Sequence, residues 1–160
     1  MGLLTAIALT IFMLEAQIPA ILPLPGIKLG LANIVTVFTV FVLSPRDGIA
    51  VLIARIFLGA VFAGNFSTIF YSAAGGACAI FITILLRKIL QKNQLWVAGC
   101  LGAIAHSLGQ MAMAIFLLGT PSIIVYLPVM IIISIITGLF TGLCAQFLVN
   151  RGNLWKTILK

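Results

Sequence analysis

Along the chain, runs of Leu, Ile, Val, Phe and Ala are broken at regular intervals by Pro, Gly and charged residues, so the pattern divides into six apolar stretches. They cover about 2–21, 29–43, 47–63, 67–86, 95–118 and 122–149, and each predicts a helix. Pro19, Pro23, Pro25 and Gly26 end the first and stiffen the connection to the second. Ser44 and Pro45 end the second, and Gly64-Asn65-Phe66-Ser67 forms a tight turn after the third. The basic run from Arg87 to Asn93 closes the fourth, and Gly119-Thr120-Pro121 closes the fifth. The opening residues of the sixth, before Pro128, suit a membrane interface.

Composition sets the solvent for these helices. Hydrophobic residues make up 63% of the 160 residues, charged residues 7%, and the mean hydropathy is +1.33. A soluble domain carries about 25% charge, so this chain could not cover itself with a wetted surface. The expectation is an all-α integral membrane protein: one transmembrane domain over 1–160, with six transmembrane helices and no room for an extramembrane domain. A soluble enzyme and a nucleic-acid-binding domain are excluded on the same ground. The run over 2–21 has no basic segment before it and reads as a first span rather than as a cleaved signal.

Charge supplies the orientation. With the N-terminus inside, the cytoplasmic connections carry Arg46, Arg87, Lys88, Lys92, Arg151, Lys156 and Lys160, the outer ones carry Lys28, and Arg55 lies within the membrane. This bias predicts that both termini face the cytoplasm of a bacterial plasma membrane. Merging the third and fourth helices would make a rod of about 60 Å, twice the hydrocarbon thickness, and would abolish the bias. Trp96 and Trp155 then fall at the inner boundary and Tyr126 at the outer one.

Polar side chains inside the membrane are costly and mark the bundle interior or a wet cavity. They are Glu15, Gln17, Asn33, Arg55, Asn65, Ser72, His106, Ser107, Gln110 and Gln146; most gather toward the outer half, and Gln146 is the main inner exception. His106 and Gln110, four apart, share a helix face, as do Arg55 and Gly59, where the glycine leaves room beside the guanidinium. Arg55 keeps its charge and needs a partner. That partner is either Glu15, in a structural pair, or a bound anion. A lone His beside one Gln makes a metal site improbable, and Cys78, Cys100 and Cys144 stand apart as small apolar residues. Ser107 points away from His106 on its helix, so no nucleophile–base pair is predicted. Small residues recur every four positions at Gly2, Ala6 and Thr10, at Ala105 and Gly109, and at Ser134, Gly138 and Gly142, where helices can approach closely. There is no P-loop, and Asp47 is the sole Asp, so neither ATP binding nor carboxylate-held magnesium on a diphosphate is expected from this chain.

The segments PGIKLGLANIVTVF, LIARIFLGAVFAGNFSTIFYSAAGG, AHSLGQ and LLGTPSIIVYLPV together resemble the Gx transporter family, whose members also carry the description heptaprenyl diphosphate synthase component I. The resemblance runs from Glu15 to Gly142. It implies a six-helix bundle similar to the substrate-binding S components of energy-coupling factor (ECF) importers. In those systems a transmembrane T component and two ATPases use ATP to drive release. It also implies that Gly2, Ala6 and Thr10 dock the T component and that residues 19–28 cap the ligand.

The resulting expectation is a non-enzymatic substrate-binding subunit with no cofactor of its own. It would take a small amphipathic, anionic isoprenoid or quinone precursor, with Arg55, Glu15, Lys28, Asn33, Asn65, His106 and Gln110 around the head. The alternative is a membrane scaffold for flavin-based extracellular electron transfer or for prenyl diphosphate and menaquinone synthesis.

Overall fold

A computed structural model describes residues 1–17, 30–64 and 66–151, the side chain of Lys92 excepted. Among them are six α-helices and no strand: α1 (Gly2–Gln17), α2 (Asn33–Val42), α3 (Pro45–Ala63), α4 (Ser67–Arg87), α5 (Leu95–Leu118) and α6 (Leu127–Asn150). Short 3-10 turns over Lys92–Gln94 and Pro121–Tyr126 lead into α5 and α6. The lead before Pro128 is thus a separate turn rather than the start of the last helix.

Local chemistry explains the boundaries. The Ser44 hydroxyl accepts the Asp47 N–H at 3.2 Å and donates to the Asp47 carboxylate at 2.7 Å, which caps α3. Pro45 fits the first turn, where its missing N–H is not needed. The helix therefore begins two residues earlier than the apolar pattern indicates. Gly64 ends it in the left-handed conformation, φ 63°. At the other end of the second apolar stretch, Gly30 has φ +79° and α2 starts only at Asn33.

Helix α2 is the centre of the bundle. It packs against all five other helices, and Asn33, Val35, Thr36, Val37, Phe38, Thr39 and Val40 are all buried. The tightest neighbours elsewhere are α4, α5 and α6. The small residues of α5 and α6 are used inside the bundle. A methyl group at Gly99 would lie 2.5 Å from the Gly138 carbonyl oxygen and from the Gly142 Cα, so the two backbones touch through glycine. One at Gly109 would lie 2.6 Å from the Ala74 carbonyl of α4. Ser107 faces α6 and shares a hydrogen bond with the Ser134 hydroxyl, which also donates to the Met130 carbonyl.

The burial pattern is inverted relative to a soluble protein. Glu15, Arg55, His106, Gln110 and several Ser and Thr residues are buried, while Phe116 is 81% exposed and Phe57, Phe62, Phe70, Phe81 and Phe140 also face outward. Three segments are long and apolar enough to cross a bilayer: Ser67–Arg87, Leu95–Leu118 and Pro121–Asn150. Helix α3 has the length, at 19 residues, but carries Arg46, Asp47 and Arg55. Helices α1 and α2, at 16 and 10 residues, are shorter than the roughly 20 residues of a span. Six helices are present among the described residues, and three of them satisfy the requirement for a span on length and apolarity together.

Candidate functional site

The buried polar residues come from different helices and meet at one pocket. Phe12 and Glu15, three apart on α1, present one face to it. Gly30 contributes from the turn before α2, Arg55 from α3, Ser72 from α4, and His106 and Gln110 from α5. The free space is about 200 Å³ counted out to its open side, and its interior admits only a water-sized group.

Two glycines shape the wall around His106. A methyl at Gly30 would lie 3.2 Å from the ring Cδ2 and 3.1 Å from the Asn33 side-chain nitrogen. A methyl at Gly75 would lie 2.8 Å from the ring Nδ1 and Cε1 and from Gln110 Cγ. The imidazole is therefore held between the turn before α2 and the backbone of α4. Its Nδ1 approaches the Gly75 backbone without reaching hydrogen-bond geometry.

Gly59 has a different role from the one its spacing suggests. A methyl there would come 2.6 Å from Phe12 Cε1, so the glycine makes room for the Phe12 ring and not for the guanidinium. The ring in turn faces Arg55, with the guanidinium carbon 5.8 Å from its centroid.

The polar groups of the pocket are incompletely satisfied. Arg55 Nε and Nη2, His106 Nδ1 and both amide atoms of Gln110 are buried without a hydrogen-bond partner. Asn33, against the Gly30 turn, has both amide atoms in the same condition. Glu15 is buried, and its Oε1 accepts the Gly30 N–H at 2.7 Å. Among the described residues no ion pair joins it to Arg55, although the two charges line one pocket.

Of the residues singled out from sequence, Glu15, Arg55, His106 and Gln110 line the pocket, and Asn33 adjoins it through Gly30. Lys28 and Asn65, together with the expected cap over 19–28, lie outside the described residues. Gly2, Ala6 and Thr10 are elsewhere, exposed on one face of α1. The pattern marked Ser72 as a polar residue within the membrane, and it lines the pocket; the pattern did not reveal Phe12, Gly30 or Gly75. Phe12 could have been found from its position three residues before Glu15, and Gly75 from the Gly75-Gly76 pair inside an apolar helix. Among the described residues no three of His, Cys, Asp and Glu come together as a metal site.

An all-helical bundle with an apolar exterior, long apolar helices and a buried polar pocket defines a membrane protein. The family described as heptaprenyl diphosphate synthase component I, the Gx transporter family, matches residues 4–148, and the chain belongs to it. No curated protein and no solved structure matches the chain.

Proposed function

We propose that this protein is the substrate-binding membrane subunit of an ECF-type, ATP-driven importer. Its ligand would be a small amphipathic molecule with an anionic head, of the isoprenoid or quinone-precursor class. The observation that carries the proposal is the set of unpartnered polar atoms on Arg55, His106 and Gln110, all buried and all around one pocket. Leaving such a group unpaired costs about 1–3 kcal/mol each, and a bundle built only for packing would be better served by apolar residues there. A polar head that enters the pocket answers these groups. The pocket interior is water-sized, far below the ~300–1,000 Å³ of a typical small-molecule site, so a head group would enter only as a lining side chain gives way, and an apolar tail would lie along the helix faces.

On this reading the ligand enters from the outer side of a six-span bundle, and release is driven by a T component and two ATPases. The outward face of Gly2, Ala6 and Thr10 supports such docking. The Thr10 hydroxyl donates to the Ala6 carbonyl at 2.9 Å, so its donor is satisfied within α1 and the exposed positions remain small. The chain itself performs no catalysis and binds no nucleotide.

The family's description favours a second reading, a non-enzymatic membrane partner of a prenyl diphosphate synthase. Purification from the native membrane, with mass spectrometry of co-purified proteins and small molecules, separates the two. A T component with ATPases and an amphipathic anion is the expected result. A soluble prenyl synthase in their place would overturn the importer.

A further inference from the structure

Within the pocket, the Glu15 carboxylate is placed as an occupant more than as a wall. Its Oε1 takes the Gly30 N–H at 2.7 Å, just ahead of the ten-residue helix α2. Gly30 lies in the turn three residues before α2 begins, and backbone N–H groups ahead of a helix favour an anion. Arg55, 3% exposed and with Nε and Nη2 unpartnered, shares the pocket, and Gln110, fully buried with both amide atoms unpartnered, bounds it. A carboxylate thus already takes a backbone N–H in a pocket that it shares with a buried guanidinium.

Resting on the substrate-binding reading above, we infer that Glu15 holds the seat of the ligand's anionic group. The pocket then takes a single compact anion of carboxylate size, and ligand entry exchanges that group for the Glu15 carboxylate. Charge balance argues for one negative charge. Arg55 is the cation of the pocket among the described residues, so a monoanion neutralises it, whereas a diphosphate would leave buried negative charge without a partner. Size points the same way: a carboxylate matches the group that Glu15 would withdraw, whereas a diphosphate needs further room that the water-sized remainder does not supply.

Chemical rescue tests the exchange without knowledge of the natural ligand. Glu15→Ala empties the seat. The probes are sodium acetate, inorganic pyrophosphate and sodium chloride at matched ionic strength. The protein is held in phosphatidylcholine nanodiscs, and thermal unfolding is the readout. Acetate at about 100 mM should raise the melting temperature of Glu15→Ala by roughly 3 °C over chloride. Pyrophosphate should do less. The wild type and Glu15→Ala/Arg55→Gln should not respond. If Glu15→Ala is lost in chloride, recovery of folded protein in acetate supports the exchange, and loss in both salts counts against it. Acetate without effect on Glu15→Ala, or with the same effect on the double variant, would overturn the inference. That failure leaves the substrate-binding subunit standing with a different head-group contact. Failure to co-purify a ligand or T component, in contrast, leaves the acetate result as it is.

Discussion

Arg55→Met would leave the Glu15 carboxylate buried at 5% exposure, its cation gone, with the Gly30 N–H as donor to Oε1. Glu15→Gln would do the converse to a guanidinium that already has two unpartnered nitrogens. Breaking a buried pair by removing one partner costs about 3–5 kcal/mol. Here the lower end applies. Two unit charges 4 Å apart attract by about 4 kcal/mol at an effective dielectric of 20, and these two stand outside ion-pair contact, so the attraction is weaker. Each single change should destabilise by about 2–3 kcal/mol. The double change removes both desolvated charges and should cost about 2 kcal/mol, a coupling of roughly 2–4 kcal/mol between the sites. At about 2–4 °C per kcal/mol for a chain of this size, the singles should melt about 4–12 °C lower and the double about 4–8 °C lower. The assay is thermal unfolding of the four proteins in one detergent. Additivity within about 0.5 kcal/mol would refute the reasoning, because the two charges would then be balanced independently.

Gly99→Ala should destabilise by about 2 kcal/mol. Its methyl meets the α6 backbone at 2.5 Å, where no side chain can turn aside, and the helix-propensity gain of about 1 kcal/mol offsets only part of the strain; Gly2→Ala, with nothing within 4 Å, should be neutral in the same melting experiment. Ser134→Ala removes the hydroxyl that pairs with buried Ser107 and should lower stability by about 1–3 kcal/mol, with the double Ser107→Ala/Ser134→Ala recovering part of that loss when unfolding is measured. The distribution of basic residues predicts cytoplasmic termini, so a C-terminal alkaline phosphatase fusion should be inactive, and high activity would reverse the orientation.

Most of the secondary structure was legible because punctuation and apolar runs act locally. Ser44-Pro45 and Gly119 terminate or start helices through their own backbone chemistry, and α5 occupies the span its pattern indicates. The shortening of α2 was not legible. The apolar run continues through Gly30, and only the folded chain shows that residue at φ +79° against His106 and Asn33. The membrane environment followed from composition, since 7% charge cannot solvate a surface of this size.

The polar residues of the pocket were also visible in the chain, because a charge or amide in an apolar run is conspicuous and costly. Their partners were decided by the tertiary structure. Periodicity places Arg55 and Gly59 on one face of α3, but it cannot say that Phe12 of α1 fills the space at Gly59 and turns its ring to the guanidinium. It places Glu15 near the C-terminal end of α1 without showing that its carboxylate takes a backbone N–H fifteen residues away. Helical spacing determines which side chains share a face of one helix, because that relation depends only on 3.6 residues per turn. Which faces meet depends on the close approach of backbones at residues such as Gly99 and Gly109, and that is a property of the packed bundle.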